Sequence, residues 1–363
     1  MADPFIHAEA LQGLDVKFLL TLDYELYGDG SGDVFEHMIR PTDRLLALCE
    51  GHGARMTIFL EVIEYLRLKQ EWGSGNTMGY LQNPAAAIEE QLRGAVSRGH
   101  DVQLHVHPQW VNAKWVDGKW QVDLANWRLG DFQVAQSYSK EDLLRDGKQA
   151  IENIIRPVKP DYRCTILRAG GYNVMPCGDV YEAMVRVGLT IDSSIYPGGY
   201  ESGELSRFDY RHAPAEKGCW SADPQDFARP SRNQSRVTEV PVFALKRRRF
   251  RKIGWQRLQA VFRNRSSAAA GIKAKTKGKS RQLGLKFFFE KEAFTWDFCL
   301  FSIRLHRSFL REAQRQHRAG RIHFVLIGHP KSFTGERSFV RFLKMARQAG
   351  VQFSTIEDSV VRA

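Results

Sequence analysis

Short apolar runs that alternate with helical stretches, several of them halted by an ionisable residue, constrain this chain more than any other feature. The first run, Val16 to Leu22, is broken only by Lys17 and Thr21. A near-continuous run of this kind suits a parallel strand covered on both faces, whereas a half-exposed strand would alternate. Further strands are expected at Arg55 to Leu60, Val102 to His107, Cys164 to Arg168, Leu189 to Asp192, Val237 to Phe243, His323 to Ile327 and Val351 to Ser354. Helical patterns fall between them at Asp43 to Glu50, Ala85 to Ser97, Lys140 to Ile155, Val180 to Val187, Leu300 to Arg318 and Arg337 to Gln348. Gly51, Gly99, Gly188, Gly320 and Gly350 stand where left-handed helix caps are expected. Strand–helix alternation on this scale predicts an α/β fold around a mostly parallel sheet.

The ionisable residues that end these runs are not scattered. Asp23 and Glu25 close the first strand, His105 and His107 the third, Arg168 the fourth, Asp192 the fifth and His329 the seventh. In a (β/α) barrel the carboxyl ends of the strands form the one face where residues distant in sequence converge. On a strand, residues two apart share a face, so His105 and His107 can present both imidazoles to one point. Two imidazoles and a carboxylate make a three-ligand set that leaves a divalent metal open positions for water and a substrate oxygen. A second carboxylate then serves as general base and a separate histidine, His329, protonates the leaving group. Arg168 is placed to hold the base, and Asp192 to orient His329 and keep it protonated. Gly170 and Gly171 allow close backbone approach, so a main-chain N–H around Tyr172 is a candidate oxyanion donor.

Composition narrows the class. The net charge of +12 resides in one segment: Lys246 to Lys286 holds 15 Lys or Arg and no Asp or Glu, leaving the remainder at −3. Phe250, Ile253, Trp255, Leu258, Val261 and Phe262 can form an apolar helix face inside it, whereas the Ser266 to Ser280 stretch has a composition expected to be mobile. A basic, amphipathic insertion fits an anionic membrane surface better than a nucleic-acid groove, and no nucleic-acid partner is expected. Met1 to Asp15, read as an N-terminal extension, carries three acidic residues and no long apolar run, and no stretch suits a membrane span. Five widely spaced cysteines without CxxC pairs point to reduced thiols. The expected location is cytoplasmic, peripheral at the inner face of the membrane.

The ordered set Thr21-Leu-Asp23-Tyr-Glu25, Gly99-His-Asp-Val-Gln-Leu-His105-Val-His107-Pro, Leu167-Arg168-Ala-Gly-Gly-Tyr172, Ile191-Asp192-Ser-Ser and Leu326-Ile-Gly-His329 resembles the five motifs of the polysaccharide deacetylases, carbohydrate esterase family 4, the NodB homology domain. The resemblance covers about residues 16–360, interrupted by the basic insertion 246–286, and is nearest to the WalW-like branch associated with lipopolysaccharide biosynthesis. It implies a distorted (β/α) barrel of about seven to eight mostly parallel strands. It also implies metal-dependent removal of an N- or O-acetyl group from a sugar or polysaccharide precursor, which could be lipid-linked. Carried over residue by residue, Asp23 becomes the base, Glu25, His105 and His107 the ligands of a metal, with zinc favoured, and His329 the acid. Arg168, Asp192 and Tyr172 complete the catalytic set. Two departures touch the site: Tyr24 separates carboxylates that the family places side by side, and the usual His-x-x-x-His is here His-x-His, with Gln109 where the second histidine would fall.

Two other readings use the same residues. A glycosidase would employ Asp23 and Glu25 as paired carboxylates, but neighbours on one strand are poorly placed to flank a glycosidic bond. A non-catalytic barrel would instead bind acidic glycan, lipid-linked sugar or nucleic acid through the basic insertion.

Overall fold

The computed structural model describes residues 16–133, 138–252, 254–263 and 289–361. Ten strands form one sheet: β1 (Lys17–Tyr24), β2 (Met56–Glu61), β3 (Asp101–Val106), β4 (Ile166–Ala169), β5 (Ile191–Asp192), β6 (Trp220–Asp223), β7 (Asp226–Pro230), β8 (Thr238–Glu239), β9 (His323–Gly328) and β10 (Gln352–Phe353). Across the sheet the order is β7-β6-β8-β5-β4-β3-β2-β1-β9, with β10 also paired to β1. Every pairing is parallel except those of β6 with β7 and β8. Just past β8, Val242 forms a parallel bridge with Val325 of β9, and its N–H donates to the Ile195 carbonyl at 2.8 Å. The sheet therefore curls into an incompletely closed barrel of mostly parallel strands.

Burial explains why these runs became strands. All residues of β2, β3 and β4 are buried, as are all of β1 except Lys17. One face lines the barrel and the other is covered by helices; only β3 alternates, and its buried Asp101, Gln103 and His105 are hydrogen-bonded within the protein. Among the described residues eight α-helices accompany the sheet: α1 (Arg40–Glu50), α2 (Val62–Gly73), α3 (Pro84–Ser97), α4 (Lys140–Ile155), α5 (Gly178–Val187), α6 (Trp255–Arg263), α7 (Ile303–Arg318) and α8 (Glu336–Gln348). Contacts run from α2 to α3, α3 to α4 and α4 to α5, so consecutive crossovers lie side by side. At the start of α4, Ser139 and Asp142 form a reciprocal capping box.

The structure revises one expectation, the cap at Gly51, and adds two features without a sequence signal. Helix α2 carries no Ser, Thr, Asn or Asp cap signal; the Glu61 side chain caps it instead, accepting from the N–H groups of Ile63 at 3.1 Å and Glu64 at 3.4 Å. Gly51 has φ −62° and is not left-handed; Gly53, at φ +62°, makes that turn, while Gly99, Gly188, Gly320 and Gly350 do have positive φ. The basic segment opens in regular structure: Ala244–Arg248 pairs antiparallel with Lys291–Thr295, and α6 follows the first of these strands. Residues 1–15 and 264–286, together with Ile253, lie outside the described residues. All five cysteines are free, and among the described residues no helix is long and apolar enough to cross a membrane.

Candidate metal centre and acid–base site

Strand register assembles the site. In neighbouring strands Glu61 is level with His105 and His105 with Arg168, while Asp23 is level with Phe59. Alternation puts Thr21 and Asp23 on the face of β1 that meets Arg168, and Glu25 continues that face. Asp23, Glu25, His105, His107 and Arg168 are all buried at this carboxyl end; the His329 side chain, 24% exposed, is the most open member.

One ligand atom from each of Glu25, His105 and His107 lies within 4.8 Å of the other two. Glu25 Oε2 is 2.7 Å from His107 Nε2 and 3.5 Å from His105 Nε2. His105 Nδ1 lies 2.9 Å from the Arg168 carbonyl, which fixes a proton on Nδ1 and leaves the Nε2 lone pair directed into the site. That Nε2 is buried without a hydrogen-bond partner, an orphan that a bound cation would satisfy. His107 Nδ1 is 3.0 Å from Gln109 Nε2, while Gln109 Oε1 is buried and unpartnered. Because the two ends of an amide are interchangeable, turning Gln109 over lets Oε1 accept from a protonated His107 Nδ1, freeing the second Nε2 as a ligand. Gln109 thus stands as a support for His107. Gly170 lies against the same ring: a Cβ there would fall 2.4 Å from His107 Cγ.

Electrostatics point the same way. Burial disfavours a charged His105, but Asp23 and Glu25 outweigh it and push the imidazole up to about 9. The site thus favours a positive charge at that place, which a divalent cation would supply in place of the proton. Burial would raise the Glu25 carboxyl, yet Lys331 and His107 hold it well below its ordinary value. Lys331 Nζ donates to Glu25 Oε1 at 2.8 Å and to the Leu26 carbonyl, leaving Oε2 to the imidazoles. These residues fit a metal with two nitrogen ligands and one oxygen ligand.

Beside the triad, Arg168 is fully buried and spends every nitrogen. It donates from Nη1 to Asp23 Oδ1 at 2.7 Å and to Thr21 Oγ1 at 2.8 Å, and from Nε and Nη2 to Ser193, with Phe59 stacked 4.1 Å below. Burial works to raise Asp23, but Arg168, then His105 and His329, pull its carboxyl below the usual range. Its second oxygen is 3.7 Å from His329 Nε2 and 4.0 Å from His105 Nε2. A poised carboxylate and a partly open imidazole therefore face each other beside the triad.

Asp192 does not reach His329. Its carboxylate accepts from Ser194 N and Oγ at 2.9 and 2.8 Å and faces Glu239 on β8. Burial raises both carboxyls, that of Glu239 well above its ordinary value. Asp297, on the segment bridged to Ile327 of β9, is a further carboxylate electrostatically coupled to His329, beside Asp23. Tyr172 follows Gly171 into the left-handed region, with φ values of +64° and +56°. For a tyrosine this is a strained conformation, of the kind concentrated at functional sites. Sequence reasoning missed Glu61, Lys331 and Asp297. The strand-end position of Glu61 and the His329-Pro-Lys331 spacing were the available signals, and Glu61 shows the same environment: burial lifts its carboxyl to about 7 beside His107 and His105.

No family model and no curated protein matches the chain. Among solved structures, a Mycobacterium smegmatis protein assigned to the polysaccharide deacetylases is 11% identical over 96% of this chain and 89% of its own, with TM-score 0.44. An allantoinase is 11% identical over 98% and 92%, with TM-score 0.47. A polysaccharide deacetylase from Bacillus cereus is 13% identical over 95% and 94%, with TM-score 0.37. Similarity at this level fixes no residue's role.

Proposed function

We propose that the chain is a metal-dependent deacylase acting on an acetylated sugar, with Glu25, His105 and His107 as the metal ligands, Asp23 as general base and His329 as general acid. The observation that carries this reading is the buried, unpartnered His105 Nε2 between Glu25, His107 and an Arg168-held Asp23. When bound, a metal, with zinc favoured by two imidazoles and one carboxylate, would lower the pKa of water and polarise the acyl carbonyl. Asp23 takes the proton of the attacking water as the new C–O bond forms. His329 then gives a proton to the amine or alkoxide as the C–N or C–O bond breaks, leaving acetate and the free sugar group. Arg168 keeps Asp23 ionised and in place, and a main-chain N–H near Tyr172 is the proposed donor to the developing oxyanion. The test is acetate release by the full chain from N- and O-acetylated amino sugars. No release from any of them would reject the reading.

A glycosidase fits less well, because Asp23 and Glu25 both converge on His105 Nε2, at 4.0 and 3.5 Å, rather than flanking a gap. The resemblance to the WalW-like branch extends the proposal to envelope polysaccharide precursors, lipid-linked and met at the inner membrane face. What supports surface attachment is α6 and the turn before it. Phe250, Trp255 and Leu258 are exposed at 39%, 68% and 44% within the basic segment; the side chains of Ile253, Val261 and Phe262 lie outside the described residues. Basic residues near an anionic surface contribute about 1 kcal/mol each, and the apolar side chains add shallow burial. The expected result is salt-sensitive sedimentation with anionic but not neutral vesicles, reduced in a Trp255→Ser/Leu258→Ser variant. Equal sedimentation of the two proteins would remove α6 from any membrane role.

A further inference from the structure

A second cavity adjoins the site. It encloses about 720 Å³ between the Ala244–Arg248/Lys291–Thr295 ribbon and the loop around Tyr196 to Ser202, and Tyr172 forms part of its wall. That volume suits one sugar-sized ligand group. Five cations and two carboxylates line it. Two of the cations are already paired: Arg211 with Asp209, and Arg249 with Glu290 and Glu292. Lys246, Arg257 and Lys291 have no carboxylate partner within salt-bridge distance among the described residues. Arg257 also has a buried Nε without a hydrogen-bond partner among the described residues, a donor whose desolvation none of them offsets. Its charge also acts on Asp297, one of the carboxylates coupled to His329.

We infer that this cavity is an anion subsite, in which Arg257, Lys246 and Lys291 hold a phosphate or carboxylate carried by the same sugar whose acyl group lies at the Asp23–His329 centre. A guanidinium with a free edge and two flexible ammonium groups match such an oxyanion, and charge-assisted hydrogen bonds are about twice as strong as neutral ones. The identity of the substrate as an acyl sugar rests on the deacylase reading, whereas the anion affinity of the cavity does not.

Calorimetric binding of three sugars to the full chain separates the two: N-acetylglucosamine, its 1-phosphate, and N-acetylmuramic acid, which carries a carboxylate. At least one acidic sugar is expected to bind about tenfold or more tightly than the neutral one, and the better of the two identifies the anion. In an Arg257→Gln/Lys291→Gln variant that gap should close to about twofold, and in the unaltered protein molar salt should narrow it in the same way. No preference for either acidic sugar overturns the inference, and so does a preference that survives both the substitutions and salt. Acetate release is measured in parallel. A binding gap without acetate from any sugar keeps the subsite and rejects the deacylase, and acetate release without a gap does the reverse.

Discussion

Asp23→Asn is expected to leave metal binding intact and to cut acetate release by about 10²-fold or more, the usual worth of a positioned general base. The substitution keeps shape and one hydrogen-bond acceptor but removes the proton acceptor, whose second oxygen faces His329 Nε2 at 3.7 Å. It also leaves the fully buried Arg168 without its 2.7 Å carboxylate partner. Breaking a buried pair costs about 3–5 kcal/mol, so the melting temperature should fall as well, and activity must be read below the variant's own transition. Metal content measured on the same sample decides between roles. An Asn variant that loses the metal, beside a Glu25→Gln variant that keeps it, would exchange the assignments of the two carboxylates.

His105→Ala should have the other large effect, abolishing metal content and acetate release together. Of the three proposed ligands His105 is the most constrained: its ring is buried, its Nδ1 is tied to the Arg168 carbonyl at 2.9 Å, and its Nε2 has no hydrogen-bond partner among the described residues. Alanine removes one of two imidazoles, and the remaining Glu25–His107 contact at 2.7 Å then closes into an ordinary ion pair instead of a metal cradle. Elemental analysis of the purified variant is the check. Full occupancy there would show that the metal, if any, is held elsewhere.

Much of this arrangement was legible in the sequence because it depends on local pattern. Short apolar runs marked β1, β4 and β9 and an alternating stretch marked β3, and the residues that stop them, Asp23, Glu25, His105, His107, Arg168 and His329, do meet at one end of the barrel. What could not be read is pairing between distant segments. Asp192 looked like a partner for His329 because both end strands, but β5 lies beside β8, and the register sets Asp192 level with Glu239. Asp297 reaches His329 through a single bridge to Ile327, in a stretch with no strong periodicity. Glu61 acts both as a helix cap and as a site carboxyl, and neither role has a short-range signature. The Gln109 position looked like a lost ligand, and only the distance to His107 Nδ1 shows it as a support. The basic segment hid an antiparallel ribbon because after Ala244 and Leu245 its first strand reads Lys-Arg-Arg, with no apolar residue to mark it.

The most direct test of the central claim is to strip the protein with a chelator, assay acetate release from an acetylated amino sugar, and then titrate zinc back. The account predicts activity that vanishes with the metal and returns to completion at one ion per chain, a stoichiometry set by the single Glu25–His105–His107 triad found among the described residues. Acetate release that survives complete removal of the metal would contradict it.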